Sequence, residues 1–295
     1  MPRPRTNPRI ITPPVDPGRF EPTPERPVRA KARLMAPDTE IQPHSHPWAQ
    51  VAIAVSGVAR ITAGHATYLV PAWRAVWIPP QVEHVVTVVE AAELRTLYIH
   101  QLPQRVGPGV PRAQQAAWQQ CRVMEVSPLL RELVLQMHTG MDGQYQPTAD
   151  FLARERRLGE LALDELRSAA PVRLGIQLPQ DKRLRMLCEA VLAAPTRDAT
   201  LDAWAATAGA SPRTVARLFR TELGTSFGPW RQQVLLARAL TLAAQGRPMG
   251  LIAAELGYAS ASAFTAMVRR SVGAPPGRFF GRVFGTRSPG LPLPA

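Results

Sequence analysis

One pattern recurs in the last third of the chain and limits its fold more than any other feature. A short helix, a glycine turn and a second, capped helix appear twice. Thr200 is placed to cap a helix over 201–208, with Asp202 in its first turn. Gly209 turns the chain, and Ser211-Pro212 opens a second helix with Ser as cap and Pro at the first helical position. Val215, Leu218 and Phe219 point inward, and Gly224 ends the helix. Leu251, Ile252, Ala253 and Leu256 then form another short helix, Gly257-Tyr258 the turn, and Ser260 or Ser262 the start of a helix with Phe264, Met267 and Val268 inside. Gly257 lies 48 residues after Gly209, and Ala253 stands four before its glycine as Ala205 does. Each copy has the form of a helix-turn-helix, whose second helix enters the major groove of DNA.

Between the copies, residues 226–245 carry Trp230, Val234, Leu235 and Leu242 at helical spacing. Such a helix is roughly 28 Å long, against about 34 Å between successive groove faces. A rigid rod of this length sets two recognition helices into neighbouring grooves. The candidate DNA contacts are Ser211, Arg213, Thr214, Arg217 and Arg220 in the first unit. In the second they are Ser260, Ser262, Thr265, Arg269 and Arg270. Arg213 and Arg217, one turn apart, can reach guanine edges or phosphates.

Charge follows the same division. The chain carries +13, and residues 181–295 hold 15 Lys+Arg against 6 Asp+Glu, a net of +9. Residues 31–180 hold 14 against 13, a net of +1. A basic unit beside a near-neutral one points to a polyanion partner for one half only. Cys121 and Cys188 are far apart, which fits neither a disulfide framework nor a cysteine metal site. With no signal-peptide core and no apolar run long enough for a bilayer, a soluble cytoplasmic chain without membrane contact is the expectation.

Residues 181–282 resemble the DNA-binding domain of AraC-type regulators. The resemblance rests on the stretch Ala253 to Phe264, on Arg269-Arg270 and on Gly273-Ala274-Pro275-Pro276. Two positions depart from the family pattern: Pro275 stands where Thr or Ser is usual, and Ala266 where many members have a polar or basic residue. The resemblance implies sequence-specific promoter binding.

The first half reads as strands. Val51–Val55 stops at Ser56-Gly57; Ala59–Thr62 follows, then Tyr68–Val70, Ala75–Ile78, Val85–Val89 and Leu94–Ile99. Short β-branched runs cut by Gly and Pro predict an antiparallel barrel or sandwich. His44 and His46 precede the first clear strand, and alternate strand residues share a face, so His44, His46 and Gln50 can point inward, with His84 arriving later. Three imidazoles and an amide suit Zn, Ni, Co or Fe(II), or line a metal-free pocket. The spacing of His44, His46, Gln50 and Gly57, with His84 after Pro79-Pro80, resembles a cupin, with Gln50 in place of the motif's Glu and Val88 in place of its Asn. That resemblance implies a small molecule or a divalent metal as effector. Trp48, Trp73, Trp77 and Tyr98 are candidates to line an apolar pocket.

The expected fold is therefore α+β: a cupin-like antiparallel β-barrel followed by an all-α domain with two helix-turn-helix units. Residues 1–30, rich in Pro and Arg, are expected to form a disordered arm. Residues 31–102 form the barrel, 103–169 a helical segment, 170–180 a linker, 181–282 the DNA-binding domain and 283–295 a tail. Leu130, Leu133, Val134 and Met137, then Leu158, Leu161, Ala162 and Leu166, form two helical stripes. They either pack on the barrel or pair in a homodimer. The expected function is a DNA-binding transcription regulator and not an enzyme. The rival is a metal-dependent cupin oxygenase or isomerase, which the missing Glu disfavours.

Overall fold

Val51 to Val55 are apolar without interruption because both faces of their strand are covered. In the computed structural model, which describes residues 10–280 apart from 15, 65, 173, 174, 196–199, 245, 274 and 278, they belong to strand β4 (Ala49–Ala63). Val51 and Ile53 pack with Trp77, Leu97, Leu130 and Val134 on one side. Ala52 and Ala54 pack with Ile61, Val76, Ile78 and Leu94 on the other.

The described residues build one ten-stranded sheet. Its strands are β1 (Ile10–Thr12), β2 (Val28–Met35), β3 (Thr39–His44), β4, β5 (Ala66–Pro71), β6 (Arg74–Ile78), β7 (His84–Ile99), β8 (Arg122–Glu125), β9 (Pro171–Val172) and β10 (Gly175–Gln177). The order β1-β3-β7-β4-β6-β8-β9 does not close on itself, so the cupin-like domain is an open sheet rather than a closed barrel. All pairings are antiparallel except β1 with β3.

Several expected boundaries move. The runs 51–55 and 59–62 are one strand. Ser56-Gly57 is not its end but an irregularity within it, where the register against β7 shifts. Residues 85–89 and 94–99 are likewise joined in β7. The expected arm is ordered from Ile10: β1 pairs β3, Asp16 caps a 3-10 turn at Pro17–Phe20, and Phe20 is buried. The barrel therefore begins before residue 31. It also ends after 102, since β8 to β10 pair with β6, β8 and β5. The expected linker 170–180 contributes β9 and β10 and buries Ile176 and Leu178. Residues 1–9, 281–282 and the 283–295 tail lie outside the described residues.

Helices α1 (Pro128–Gln136) and α2 (Ala149–Ser168) start at Ser127 and Thr148, whose hydroxyls accept from Leu130 N and Phe151 N. Leu130, Val134, Met137, Ala162 and Leu166 pack in one cluster with the sheet residues Val51, Ile53 and Trp77, and Leu133 is buried as well. The first stripe and Ala162 and Leu166 of the second thus face the core, whereas Leu161 of the second stripe is exposed, as is Leu129 of α1.

Six helices follow: α3 (Lys182–Ala193), α4 (Leu201–Thr207), α5 (Pro212–Leu223), α6 (Phe227–Ala244), α7 (Met249–Glu255) and α8 (Ala261–Val272). Their cores split as the repeat predicts. Trp204, Ala205, Val215, Leu218, Phe219 and Trp230 pack in one cluster. Ile252, Ala253, Leu256, Phe264, Met267 and Val268 pack in the other. Helix α6 spans the two and also packs on β4, β5 and β10. No helix among the described residues is long and apolar enough to cross a membrane.

Candidate functional site

In each helical pair the turn depends on a left-handed glycine. Gly209 has φ +61° and Gly257 φ +78°, a conformation that glycine adopts without steric cost. The helix after each turn is built alike. Ser211 Oγ accepts from Thr214 N at 3.2 Å, and Ser260 Oγ accepts from Ala263 N at 3.2 Å. Ser260, not Ser262, is therefore the cap of α8. Gly224 and Gly273 close α5 and α8 in the left-handed region.

The buried stripe of α5 leaves Arg213, Arg217 and Arg220 exposed. Thr214 is half-buried, and its hydroxyl lies 2.9 Å from that of Ser211. These two residues thus support the helix start as well as facing outward. On α8, Ser262, Arg269 and Arg270 are exposed and Thr265 is half-buried. The ten proposed contacts fall on the two capped helices or their caps. Helix α6, 18 residues and so about 27 Å long, separates the two units.

The histidines come together, but not as one strand face. His44 ends β3, His46 lies in the turn before β4, and Gln50 is inside β4. Pro43 and Pro47 flank this turn, and proline removes the backbone donors a continuous ladder needs. His84 opens β7 directly opposite His44. One ring nitrogen from each of His44, His46 and His84 lies within 4.8 Å of those of the other two.

All three imidazoles set Nδ1 against a backbone carbonyl. The partners are Gln42 O at 2.8 Å, Trp48 O at 3.0 Å and Val82 O at 3.0 Å. A carbonyl only accepts, so Nδ1 carries the proton in each ring and Nε2 keeps its lone pair. Burial lowers the pKa of all three, that of His84 to about 3, which keeps them neutral. His84 Nε2 is buried without a hydrogen-bond partner. The Gln50 atom 2.7 Å from His46 Nε2 is Oε1; the Nδ1 tautomer calls for the opposite amide orientation, in which the NH₂ donates to that lone pair. Gln50 thus stands beside the three-histidine cluster, against His46.

Two of the four proposed aromatic residues border this cluster. Trp48 stacks on His46 with centroids 5.3 Å apart, and Tyr98 meets His46 edge-on at 5.2 Å. Trp77 is core, its Nε1 donating to Trp118 O at 2.8 Å. Trp73 lies under the Arg131 guanidinium. Sequence reasoning missed Lys31, whose Nζ donates to Tyr98 Oη at 2.7 Å and sits over the Tyr98 and Phe20 rings. Burial, then the nearby Arg33 charge, pushes its ammonium down to about 8. Nothing in the local pattern of β2 marks this lysine; the pairing of β2 with β7, which sets it beside Tyr98, does.

Comparison with known proteins finds two families along the chain. Residues 27–166 match the AraC-like ligand binding domain, and residues 204–282 match a helix-turn-helix domain. The HTH-type transcriptional regulator NimR of Escherichia coli is 32% identical over 240 residues, 81% of this chain and 82% of that protein. The HTH-type transcriptional regulator RipA of Corynebacterium glutamicum is 30% identical over 115 residues, 39% of this chain and 35% of that protein. Among solved structures, unsaturated fatty acid bound ToxT from Vibrio cholerae is 12% identical with a TM-score of 0.37, covering 91% of this chain and 99% of that one.

Proposed function

The chain belongs to the AraC-type family of helix-turn-helix transcriptional regulators, with an N-terminal ligand-binding domain, and from that premise we propose how its residues divide the work. Helices α5 and α8 enter neighbouring major grooves of promoter DNA. Arg213 and Arg217 read base edges, and Arg220, Arg269 and Arg270 bind phosphate. The observation that carries this is the paired geometry: two recognition helices with the same serine cap, each after a left-handed glycine, held apart by α6. The open sheet receives a small effector. Because α6 packs on β4, β5 and β10, an effector that favours one arrangement of sheet and α6 changes the affinity for DNA. The chain acts in the cytoplasm, where its DNA is.

Binding to duplexes upstream of the chain's own gene and its neighbours, measured at two salt concentrations, tests this reading. Wild type is expected to select one fragment and to weaken as salt rises. Arg213→Ala with Arg269→Ala is expected to lose at least about ten-fold in affinity, since a single base-reading Arg is worth roughly 1–3 kcal/mol. Equal binding to every fragment sinks the claim of sequence-specific reading.

The same proposal assigns a divalent cation to His44, His46 and His84. Three neutral imidazoles with Nδ1 fixed by carbonyls form a donor set suited to Zn, Ni, Co or Fe(II). Gln50 would release His46 Nε2 on loading. All donors are neutral and Lys31 adds positive charge, so an anion completes such a site. When bound, the metal supplies a Lewis-acidic anchor for that anion. The cupin enzyme reading needs a carboxylate beside the triad, and Gln50 stands in its position against His46. Elemental analysis of protein purified without chelator or affinity metal is expected to find about one equivalent, and His84→Ala to lose it. A wild-type chain that stays metal-free, with no shift in melting temperature on adding any of the four ions, sinks the assignment.

A further inference from the structure

The two recognition helices share one register. Both have 12 residues, a serine cap and a left-handed glycine closing them. Aligning Ser211 with Ser260, 49 residues later, sets buried Val215, Leu218 and Phe219 on buried Phe264, Met267 and Val268. Arg220 then falls on Arg269. The second and sixth helical positions break this agreement. Helix α5 has Arg213 and Arg217 there; α8 has Ser262 and Ala266. All four are exposed. Ala261 and Ala263 are exposed on α8 as well, so the first two turns of its outer face carry no charge and no side chain longer than Thr265.

We infer that the two helices read different base chemistry, so that the bound site is an asymmetric pair: a guanine-bearing block under α5 and a thymine-bearing block under α8. This rests on the DNA-binding reading above. Arg donates to both O6 and N7 of guanine, the contact with the most discrimination per side chain. Ala and the Thr methyl offer only apolar contact, and in the major groove the thymine C5-methyl is the group that matches it. Ser262 accepts or donates to any base edge and discriminates weakly. The arginine common to both helices, at the ninth position, lies past the N-terminal turns that meet base edges and serves both units as a phosphate anchor. Block two therefore contributes affinity with little specificity, and block one sets the sequence.

The test is selection of the full chain from random duplexes, followed by base analogues in the selected site. Two blocks about one helical turn apart are expected, one with near-invariant guanines and the other thymine-rich and less constrained. Replacing the guanines of block one with 7-deazaguanine, which lacks N7, is expected to cost at least about ten-fold in wild type and little in Arg217→Ala. Replacing the thymines of block two with uracil, which lacks only the methyl, is expected to cost several-fold. Ala266→Arg is expected to convert block two to guanine preference and leave block one unchanged. Two equally informative guanine blocks, or uracil tolerated in block two, overturn the inference while leaving specific DNA binding intact. No enrichment of any sequence overturns the inference and the DNA-binding reading with it.

Discussion

Gly57→Ala is expected to lower the melting temperature by about 10 °C. Gly57 has φ +68°, in the region where a side chain is strained. It also faces the β7 backbone: an added Cβ would lie 2.2 Å from Ala91 O and 2.9 Å from Ala92 Cα. Neither obstacle is a flexible side chain, so the central strand pair itself must move. Left-handed strain costs about 1–3 kcal/mol and overpacking about 1–3 kcal/mol. Together these give about 2–6 kcal/mol, at roughly 2–4 °C per kcal/mol for a large domain. Gly64→Ala separates the two causes. Gly64 has φ +57°, yet an added Cβ there meets nothing within 4 Å, so it bears the strain alone. Thermal melts followed by far-UV circular dichroism should rank wild type, Gly64→Ala and Gly57→Ala in falling order. Equal melting of the two variants would show that the close approach of β4 and β7 is not what requires glycine at 57.

Gly57 also shows why half of this fold could be read from the sequence and half could not. The helical units are written in local chemistry. Thr200, Ser211 and Ser260 cap, and Gly209, Gly224, Gly257 and Gly273 turn or close, each acting within a few residues of itself. In the sheet, the same residue type means different things according to what lies across the ladder. Ser56-Gly57 reads as a strand end but is an irregularity inside β4, because β7 continues past it. Residues 171–172 and 175–177 show no period of their own and form strands by pairing with the edges of β8 and β5.

The candidate sites divide in the same way. Arg213 and Arg217 follow from helical spacing after a cap, and the structure leaves them exposed as the spacing requires. His44, His46 and His84 were singled out by a motif, and they do converge. His44 and His46 meet across the turn between β3 and β4 rather than along one strand face, and the same turn sets His46 against Gln50. What fixes the tautomers, the carbonyls of Gln42, Trp48 and Val82, could not be read from residue identity, because every residue has a carbonyl. Lys31 was invisible for a related reason: alternation along β2 gives a half-exposed lysine no distinction until β7 places Tyr98 against it.

The second large effect concerns the segment expected to be a disordered arm. Glu155→Ala is expected to cost about 3–5 kcal/mol, the range for leaving buried charge uncompensated. Arg26, just ahead of β2, donates from Nε to Glu155 Oε2 at 2.6 Å and from Nη2 to Glu155 Oε1 at 2.8 Å. Its Nη1 reaches Asp142 Oδ1 at 2.9 Å, and Arg29 Nη1 reaches Asp142 Oδ2 at 2.7 Å. The Arg29 side chain is 2% exposed and Glu155 8%, so the contacts of Glu155 are not surface pairs, whereas Asp142 is 40% exposed. Removing Glu155 leaves two guanidiniums facing one carboxylate. Urea unfolding of wild type, Glu155→Ala and Glu155→Gln is the measurement. A loss below about 1 kcal/mol would place the cluster with surface ion pairs and remove its role in holding residues 17–30 to α2. Asp142 adds a pH signature. Burial raises its pKa, but the Arg29 hydrogen bond and the Arg29 and Arg26 charges outweigh burial and hold it below the usual carboxylate range. A carboxyl depressed on folding stabilises above its unfolded value near 3.9 and loses that contribution as pH falls through the folded one. The stability gap between wild type and Asp142→Asn is thus expected to be full at pH 6 and to shrink below about pH 4. A gap that stayed constant into acid would mean that the arginines meet Asp142 through shape and hydrogen bonding without drawing on its charge.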